Sequence, residues 1–536
     1  MTLTGTSDVV VCGAGPVGLT AAALLAARGV GVTVLEQHSS TSDEPKAISI
    51  DDEALRGFDQ AGIAGQVLPV LTPGTGTRYY DSDGRELFHA GGPDPLRLGY
   101  PFKNPFAQPD LERALAVAVA EMPTAKLSFG TRVTGFDQYD DHVRVHAVAP
   151  GGDVAIDAAY VLGCDGGRSA TRLLQGVGMT GRSYDDVWLV VDTVDDPHTE
   201  RFAMHHAVPD RPHVIVPGTG GRCRYEFRLF AGEGTPRDTP PFALIERLLS
   251  RYRTITPRQV ERAVCYRFNA VVADEWMIGR SFLLGDAAHM MPPFAGQGLN
   301  SGIRDAINLT WKIADVLAGR LAPATLSSYH QERFPHALAT VRMSERLGRW
   351  VMTTEPGLAR RRDAAVRRAL DSTTGRAYLE QMRYRPAQRF TAGLVLPGDG
   401  RPTGVPIGQP LAFDSTDHRI RRLDEVLGQG WALIGVDIDD AAWPRTGPII
   451  TALAATVVGV GLGEHLPRTS RRLLLDVDGG LDREFTAYRG SFVLLRPDRV
   501  VAASWRPADT SEHLDRVLAW TPRAATVSSE GALIHE

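Results

Sequence analysis

The sequence predicts an α/β protein: a parallel-sheet domain interrupted by an antiparallel sheet and followed by a separate small α/β domain. Three observations predict it. The chain opens with a valine-rich run, Asp8–Cys12, then a glycine turn, an Ala/Leu-rich segment to Arg28 with Gly29 placed to cap it, and a second apolar run, Val32–Glu36. Runs apolar throughout, separated by a helix-forming stretch, are the pattern of a βαβ unit whose strands are covered on both faces. Between residues 186 and 270 lie several strand-like segments, including Trp188–Asp192, His213–Pro217 and Arg224–Phe230. After a Pro/Gly-rich linker at 397–411 the chain resumes short strands at Ala432–Val436, Arg472–Val477, Ser491–Leu495 and Val500–Trp505, with a helix near 509–519.

The remaining elements follow in order. Segment 80–107, rich in Gly, Pro and aromatics, reads as loop and hairpin, and Pro109–Met122 as a helix. Val143–Ala149 and Ala155–Leu162 flank a Pro-Gly-Gly-Asp turn and read as paired strands. Ser281–Gly285 is a further buried strand, Leu299–Leu317 a helix, and 326–385 an arginine-rich helical extension. The expected organisation is a first domain built from 1–180 and 271–395, an inserted sheet domain at 181–270, and a C-terminal domain at 412–536. The run Pro448–Gly463 is interrupted by Thr and Gly and reads as a helix or loop leading into a strand, not a membrane span.

Composition narrows the function. A length of 536 residues implies more than one core, and 43% hydrophobic with 23% charged residues is ordinary globular usage. A net charge of −5 favours neither nucleic acid nor an anionic membrane. Four cysteines, Cys12, Cys164, Cys223 and Cys265, form no CxxC pair, so neither a disulfide framework nor a zinc site is expected. No signal-peptide pattern is read at the N-terminus, and a reducing cytoplasm is the expected location.

Three motifs carry chemistry. Gly13-Ala14-Gly15-Pro16-Val17-Gly18 joins the first strand to the first helix. Gly13 permits the tight turn, Gly15 a close backbone approach to pyrophosphate, and Gly18 close helix–strand packing. The helix start presents free N–H groups to phosphates. Glu36, with Gln37 beside it, ends the second strand where an acid can hold ribose hydroxyls. This Rossmann-like pattern serves FAD or NAD alike.

The second motif, Gly285-Asp286 followed by Pro293, Gly296, Gln297, Gly298, Leu299 and Asn300, favours FAD. An acid delivered by a buried strand can bind ribityl hydroxyls. A glycine-rich turn opening a helix can stabilise negative charge on a reduced isoalloxazine. The third, Cys164-Asp165-Gly166-Gly167-Arg168-Ser169 with Arg172, is an acid–glycine turn suited to close cofactor approach.

In this order the three motifs resemble the class A FAD-dependent aromatic hydroxylases, the para-hydroxybenzoate hydroxylase-like superfamily. Pro45–Arg56, Gln297–Ala306 and Leu495-Arg496-Pro497-Asp498-Arg499 look closest to the 3-(3-hydroxyphenyl)propionate hydroxylase branch, whose C-terminal domain is thioredoxin-like. The resemblance implies a Rossmann-like FAD-binding domain, an inserted antiparallel-sheet substrate domain and a thioredoxin-like tail. It implies hydroxylation of a small phenol with NADH or NADPH and O₂ through a flavin C4a-hydroperoxide. No nucleic acid or membrane is implied, and a homodimer is one assembly it permits. Lys46 stands where the family usually has Arg and keeps the charge without the planar fork. The tail contains no cysteine, so dithiol exchange is not expected of it.

Among single residues, Gln108 resembles the family's flavin-contacting glutamine. Pro293 is expected beside the reacting flavin, and His289 is an acid/base candidate. Arg211, His213 and Tyr225 are candidate substrate residues of the inserted sheet, and one of Arg211, Arg224 and Arg228 is the expected partner of a substrate carboxylate. Two further readings stand beside the hydroxylation of a small phenol. One is a polyketide-tailoring hydroxylase or epoxidase of the same fold, the other a non-catalytic flavin-binding protein. A plain NAD-linked dehydrogenase is disfavoured by the Gly-Asp motif.

Overall fold

The computed structural model describes residues 3–522 apart from 75, 93–95, 237 and 464–465. It contains two compact units. The first comprises the chain up to Trp311, Tyr329–Arg389 and Gly408–Pro410; the second comprises Lys312–Ser328, Phe390–Ile407 and the chain from Leu411 onward.

The first unit holds two eight-stranded sheets. The spine of one runs Met277–Ile278, Ser281–Leu283, Gly152–Gly163, Leu3–Cys12, Val32–Leu35, Ala125–Ser128, with all neighbours parallel except the first pair. Val9, Val10 and Val11 are fully buried, as parallel strands covered on both faces require. Register pairs Val11 with Val34 and Val10 with Val161, so the strands ending at Cys12, Leu35 and Gly163 stop level with one another. The three turns that leave them therefore open on one edge, where an open parallel sheet binds its ligands.

The second sheet is built on Met179–Thr193 and Val260–Ala273, then Cys223–Arg228, His213–Pro217 and Ala203–His206. It extends beyond the expected insert. Thr77–Tyr80 pairs with Ala203–His206 in parallel and carries Glu86–Ala90 at its edge, so that part of the segment 80–107 read as loop and hairpin forms the edge of the sheet. The helix Phe242–Leu249 covers one face, packing Leu244, Ile245 and Leu248 on Leu189, Val191, Ile215, Tyr225 and Phe227. Because strand side chains alternate, the neighbours of these residues face the other way.

The arginine-rich extension is three helices, Ser328–Val351, Pro356–Leu370 and Thr373–Glu380. The second unit is a seven-stranded mixed sheet in the order Arg419–Arg422, Leu411–Asp414, Leu473–Asp476, Thr456–Gly461, Ala432–Val436, Ser491–Leu495, Val501–Trp505. Its three central strands are parallel, and its last two form an antiparallel hairpin. The hairpin turn Arg496–Arg499 is structural. Arg496 and Arg499 are fully buried, and Arg499 Nε donates to Asp424 Oδ1 at 2.9 Å. Lys312–Ser328 is part of this unit: Trp431 Nε1 donates to Asp315 Oδ2 at 2.8 Å, and Ala322 N to Trp520 O at 2.8 Å. No helix among the described residues is long and apolar enough to cross a membrane.

Candidate functional site

A cavity of about 970 Å³ in the first unit runs from the three turns of the parallel sheet to the free face of the antiparallel sheet. The first turn is fixed by glycine. Gly13 has φ +104°, and a Cβ there would lie 2.7 Å from the Cys164 carbonyl oxygen. A Cβ at Gly18 would collide with the Gly13 carbonyl. Gly15, at the N-cap of the helix Pro16–Ala26, has no protein atom within 4 Å of where a Cβ would stand, so the helix start is left open to a ligand. Glu36 Oε2 accepts from Ala14 N at 2.9 Å and Oε1 from His38 N at 2.9 Å, which aims the carboxylate along the wall while leaving lone pairs free.

The second turn places Asp286 in the wall. Its surface is reachable from the cavity, yet protein surrounds it at longer range. Burial raises its carboxyl above the usual range, while His289 and Lys46 pull it back. Among the described residues its carboxylate receives no hydrogen bond. Beyond it, Pro293, Phe294, Gly296, Gln297, Gly298 and Leu299 line the cavity at the start of the helix Gly298–Leu317. Asn300 stands behind them, with Oδ1 accepting from Asp51 N at 2.9 Å and Nδ2 donating to Gly296 O at 2.7 Å. The third turn is self-contained: Asp165 accepts from Ser169 Oγ and from Thr171 N at 2.8 Å. Arg172 donates to Ala287 O at 3.1 Å and Gly167 O at 3.0 Å, tying the second and third turns together, and makes no ion pair with a carboxylate among the described residues.

Of the residues expected at a cofactor, Gly13, Gly15, Pro16, Val17, Glu36, Gln37, Lys46, Gln108, Asp165, Gly166, Asp286, Pro293, Gly296, Gln297, Gly298 and Leu299 line the cavity. Gly18, Gly285 and Asn300 stand behind it. Gln108 is occupied by protein: its Oε1 accepts from Ala47 N and its Nε2 donates to Glu112 Oε1 at 2.6 Å. Lys46 is largely exposed and lies 3.5 Å from Glu44 Oε2. His289 is not brought to the cavity. It is fully buried, its Nε2 lies 2.7 Å from Asp305 Oδ2, and Arg333 holds that carboxylate from the other side at 2.9 Å. This network positions the Gly285 turn, whose N–H also donates to Asp305 at 3.1 Å.

None of the three candidate substrate residues lines the cavity, and for the two in strands the reason is the same. His213 and Tyr225 sit one position out of register with the cavity face, and a shift of one residue in a strand reverses the side chain. Tyr225 OH donates to Asp196 Oδ2 at 2.8 Å, His213 contacts Tyr252, and Arg211 donates to Glu233 Oε1 at 2.8 Å. Val214, Val216, Arg224 and Glu226 line the cavity instead, joined by Lys103, His205, Tyr266 and Phe268. The alternation in Cys223–Arg228, apolar or aromatic at odd positions and Arg, Glu, Arg at even ones, was the available signal: charges repeated on one face of an otherwise buried strand mark a polar cavity.

The chain matches the family model described as FAD binding domain over residues 6–344 and the model described as HcaD C-terminal domain over residues 404–520. It is 36% identical to a 3-(3-hydroxy-phenyl)propionate/3-hydroxycinnamic acid hydroxylase of Mycobacterium sp. (strain JLS), over 93% of this chain and 89% of that one. It is 32% identical to the corresponding hydroxylase 2 of Burkholderia vietnamiensis, over 93% of each chain. The fold is that of a solved ternary complex of aklavinone-11 hydroxylase with FAD and aklavinone, with TM-score 0.78, 23% identity and coverage of 96% of this chain and 98% of that one. It is equally that of the flavin-dependent monooxygenase PieE in complex with FAD and substrate, with TM-score 0.77, 20% identity and coverage of 96% and 98%. The chain therefore belongs to the FAD binding domain family, among its FAD-dependent aromatic hydroxylases.

Proposed function

We propose that this enzyme hydroxylates a small phenol bearing a carboxylate side chain, of the 3-(3-hydroxyphenyl)propionate type, with NADH or NADPH as reductant. The observation that carries the reading is the continuity of one cavity between two unlike walls. One is a backbone-rich wall of glycine turns suited to a dinucleotide; the other is the charged face of the antiparallel sheet, suited to a polar aromatic acid. The similarity to the hydroxyphenylpropionate hydroxylases supports the substrate class.

The residues present fit FAD. The open cradle at Gly15 and the start of the helix Pro16–Ala26 would take the pyrophosphate, Glu36 the ribose, and the unsatisfied Asp286 carboxylate the ribityl hydroxyls. Gly298 and Leu299, at the start of the helix Gly298–Leu317, line the cavity and would offer their N–H groups to the electron-rich edge of the flavin. Bound FAD supplies the reduction by nicotinamide and the activation of O₂. The chain's part is to hold the substrate ring under the sheet, to exclude water with Phe268, Phe294 and Val214, and to keep the phenol oxygen electron-rich. The four buried free thiols suit a reducing cytoplasm.

The test is a screen of phenols for those that stimulate NAD(P)H oxidation by the yellow holoenzyme, with products identified by mass. One added oxygen on 3-(3-hydroxyphenyl)propionate is the expected result. Stimulation only by polycyclic phenols would replace the reading with a tailoring hydroxylase, and rapid reduction without any oxygenated product would leave only a flavin reductase.

A further inference from the structure

A substrate carboxylate buried under the sheet needs a cationic partner, because an unpaired buried charge is unfavourable by several kcal/mol. The three arginines expected for this role are already occupied, and Arg267, which also lines the cavity, is exposed, so a carboxylate paired with it would not be buried. Arg211 is held by Glu233. Arg228 is paired with Asp186 at 2.5 Å and donates to Met352 O at 2.6 Å. Arg224 does line the cavity, but its fork is closed on Asp192, Nε to Oδ1 at 2.6 Å and Nη2 to Oδ2 at 3.0 Å, and it also donates to the carbonyls of Pro45 and Lys46.

Lys103 is different. It lies outside the sheet, in the short strand Lys103–Pro105, which pairs with Ser49–Asp51 so that Lys103 stands opposite Asp51. Its Nζ donates to Thr77 Oγ1 at 2.7 Å and, among the described residues, to nothing else, leaving two of three N–H donors unused beside the cavity it lines. The nearby carboxylate of Glu226 is 5% exposed, lines the same wall, and makes no hydrogen bond among the described residues. Among the described residues its one ion-pair contact is Arg224 Nη1 at 3.9 Å.

The backbone of Lys103 is fixed. Asn104 is buried, its Nδ2 donates to Pro101 O at 2.8 Å, and its Oδ1 accepts from Gly74 N at 3.0 Å. The partner strand is tied in turn to the flavin-facing helix start through Asp51 N and Asn300. An ammonium with spare donors is thus held in one frame with the turn at 296–299.

We propose that Lys103 is the specificity-determining cation of this enzyme, receiving the substrate's carboxylate, with Glu226 as the neighbouring acid that holds its place when the site is empty. The inference rests on the acid-substrate reading above. Burial lowers the Lys103 ammonium to about 8, with Glu226 opposing the shift and Arg385 adding to it. Of the other groups around it, Arg224 and Asp192 are mutually paired, Asp51 is held by Arg304 and Arg385, and burial holds His205 neutral. The substrate acid is ionised throughout the range. Affinity for it is therefore full below about pH 8 and declines as pH rises through that value.

The experiment measures dissociation constants of 3-(3-hydroxyphenyl)propionate and its amide from the flavin absorbance change, in wild type, Lys103→Met and Lys103→Arg. Flavin content and thermal unfolding serve as controls for folding. Lys103→Met is expected to weaken the acid on the order of 30- to 1000-fold and the amide by less than about 3-fold. Lys103→Arg, which cannot lose its charge, is expected to recover part of the affinity and to abolish the decline near pH 8. If wild type prefers the acid and both variants keep that preference, the assignment to Lys103 is wrong while the acid-substrate reading stands. If wild type binds acid and amide equally, both fall. Equal loss of acid and amide in the folded Met variant also overturns the proposal, because it assigns Lys103 a structural role.

Discussion

The two walls of the cavity are built from different material. The wall under the parallel sheet is mostly backbone: helix starts at Pro16 and Gly298, turns at Gly13 and Gly166, and a few acids, one of them aimed by amide hydrogen bonds. The wall under the antiparallel sheet is side chain, with Lys103, Arg224, Glu226, His205 and Tyr266 set among Val214, Val216 and Phe268. A backbone wall recognises what every copy of a cofactor shares and is insensitive to most substitutions other than those that add atoms at glycine. A side-chain wall can be re-specified one residue at a time. The fold thereby separates a constant half of the reaction from a variable one, and substitutions should act on cofactor and substrate separately.

The largest expected effect falls on the backbone wall. Gly13→Ala forces a Cβ to within 2.7 Å of the Cys164 carbonyl at φ +104°, a conformation unfavourable for alanine. Strain and overpacking together should amount to on the order of 3 kcal/mol or more. The variant should purify with less than a tenth of the wild-type flavin per chain, read from absorbance. Retention of full flavin with unchanged thermal stability would show that the turn is not rigid and would dissolve the contrast.

The next effect concerns the far face of the antiparallel sheet, where His206 and His213 stack at 4.4 Å. Burial lowers His206 to about 3 and His213 to about 4 from an ordinary value of 6.5. Both are neutral when folded and charged when unfolded at pH 5, so the unfolded state binds more protons and stability falls with acid. The contribution is complete above pH 6.5 and is lost progressively down to about pH 4 for His213 and about pH 3 for His206, at up to about 1.4 kcal/mol per pH unit for each ring. Urea unfolding of the holoenzyme between pH 7 and 5 should show this slope, and His206→Phe should reduce it without changing substrate affinity. An unchanged slope would mean that other groups set the acid limit.

Much of this architecture was legible in the sequence, and the reason is local. His213–Pro217, Val143–Ala149, Ala432–Val436 and Ser491–Leu495 have the bounds expected of them, because each is a short alternating or apolar run with Gly, Pro or Asp within two residues of its end. The elements not foreseen depend on distant pairing. Lys103–Pro105 and Ser49–Asp51 are three residues each, and Thr77–Tyr80 becomes a sheet strand only through Ala203–His206. The glycine turns could be placed in the cavity wall from motif order alone. The substrate wall could not, since choosing between His213 and Val214, or between Tyr225 and Glu226, requires knowing which face of the strand the helix Phe242–Leu249 covers.

Asp286→Ala should sharpen the contrast between the walls with a moderate effect. The carboxylate faces the cavity without a hydrogen bond from the described residues, and burial raises its pKa. Removing it takes an unfavourably placed charge out of the apoprotein while deleting an acceptor for the cofactor. Flavin affinity should fall about tenfold, the equivalent of one or two hydrogen bonds, and apoprotein melting should stay constant or rise. Both quantities come from one titration of apoprotein with FAD followed by thermal denaturation. A fall in apoprotein stability would show that Asp286 supports the turn rather than the ligand.

The smallest effect is expected at Tyr225, and its smallness carries the argument. Tyr225 sits between Arg224 and Glu226 in sequence, yet its ring is buried on the opposite face among Leu189, Ile215 and Leu249, and its hydroxyl ends on Asp196. That carboxylate also accepts from Thr193 Oγ1 at 2.9 Å and Arg253 Nε at 3.1 Å, so it is not left bare when the phenol is removed. It lies with His198 and Cys223 in a cluster whose ligand atoms fall within 4.8 Å of one another, but the hydroxyls and guanidinium around it already fill its oxygens. Tyr225→Phe therefore deletes one hydrogen bond among several and leaves the apolar packing intact. The expected outcome is a loss of about 1 kcal/mol in stability, with substrate affinity and hydroxylation rate within about twofold of wild type. If instead the substrate constants move while stability does not, the register separating the two faces is wrong by one residue. Val214 and Glu226 would then have to give up the cavity to His213 and Tyr225.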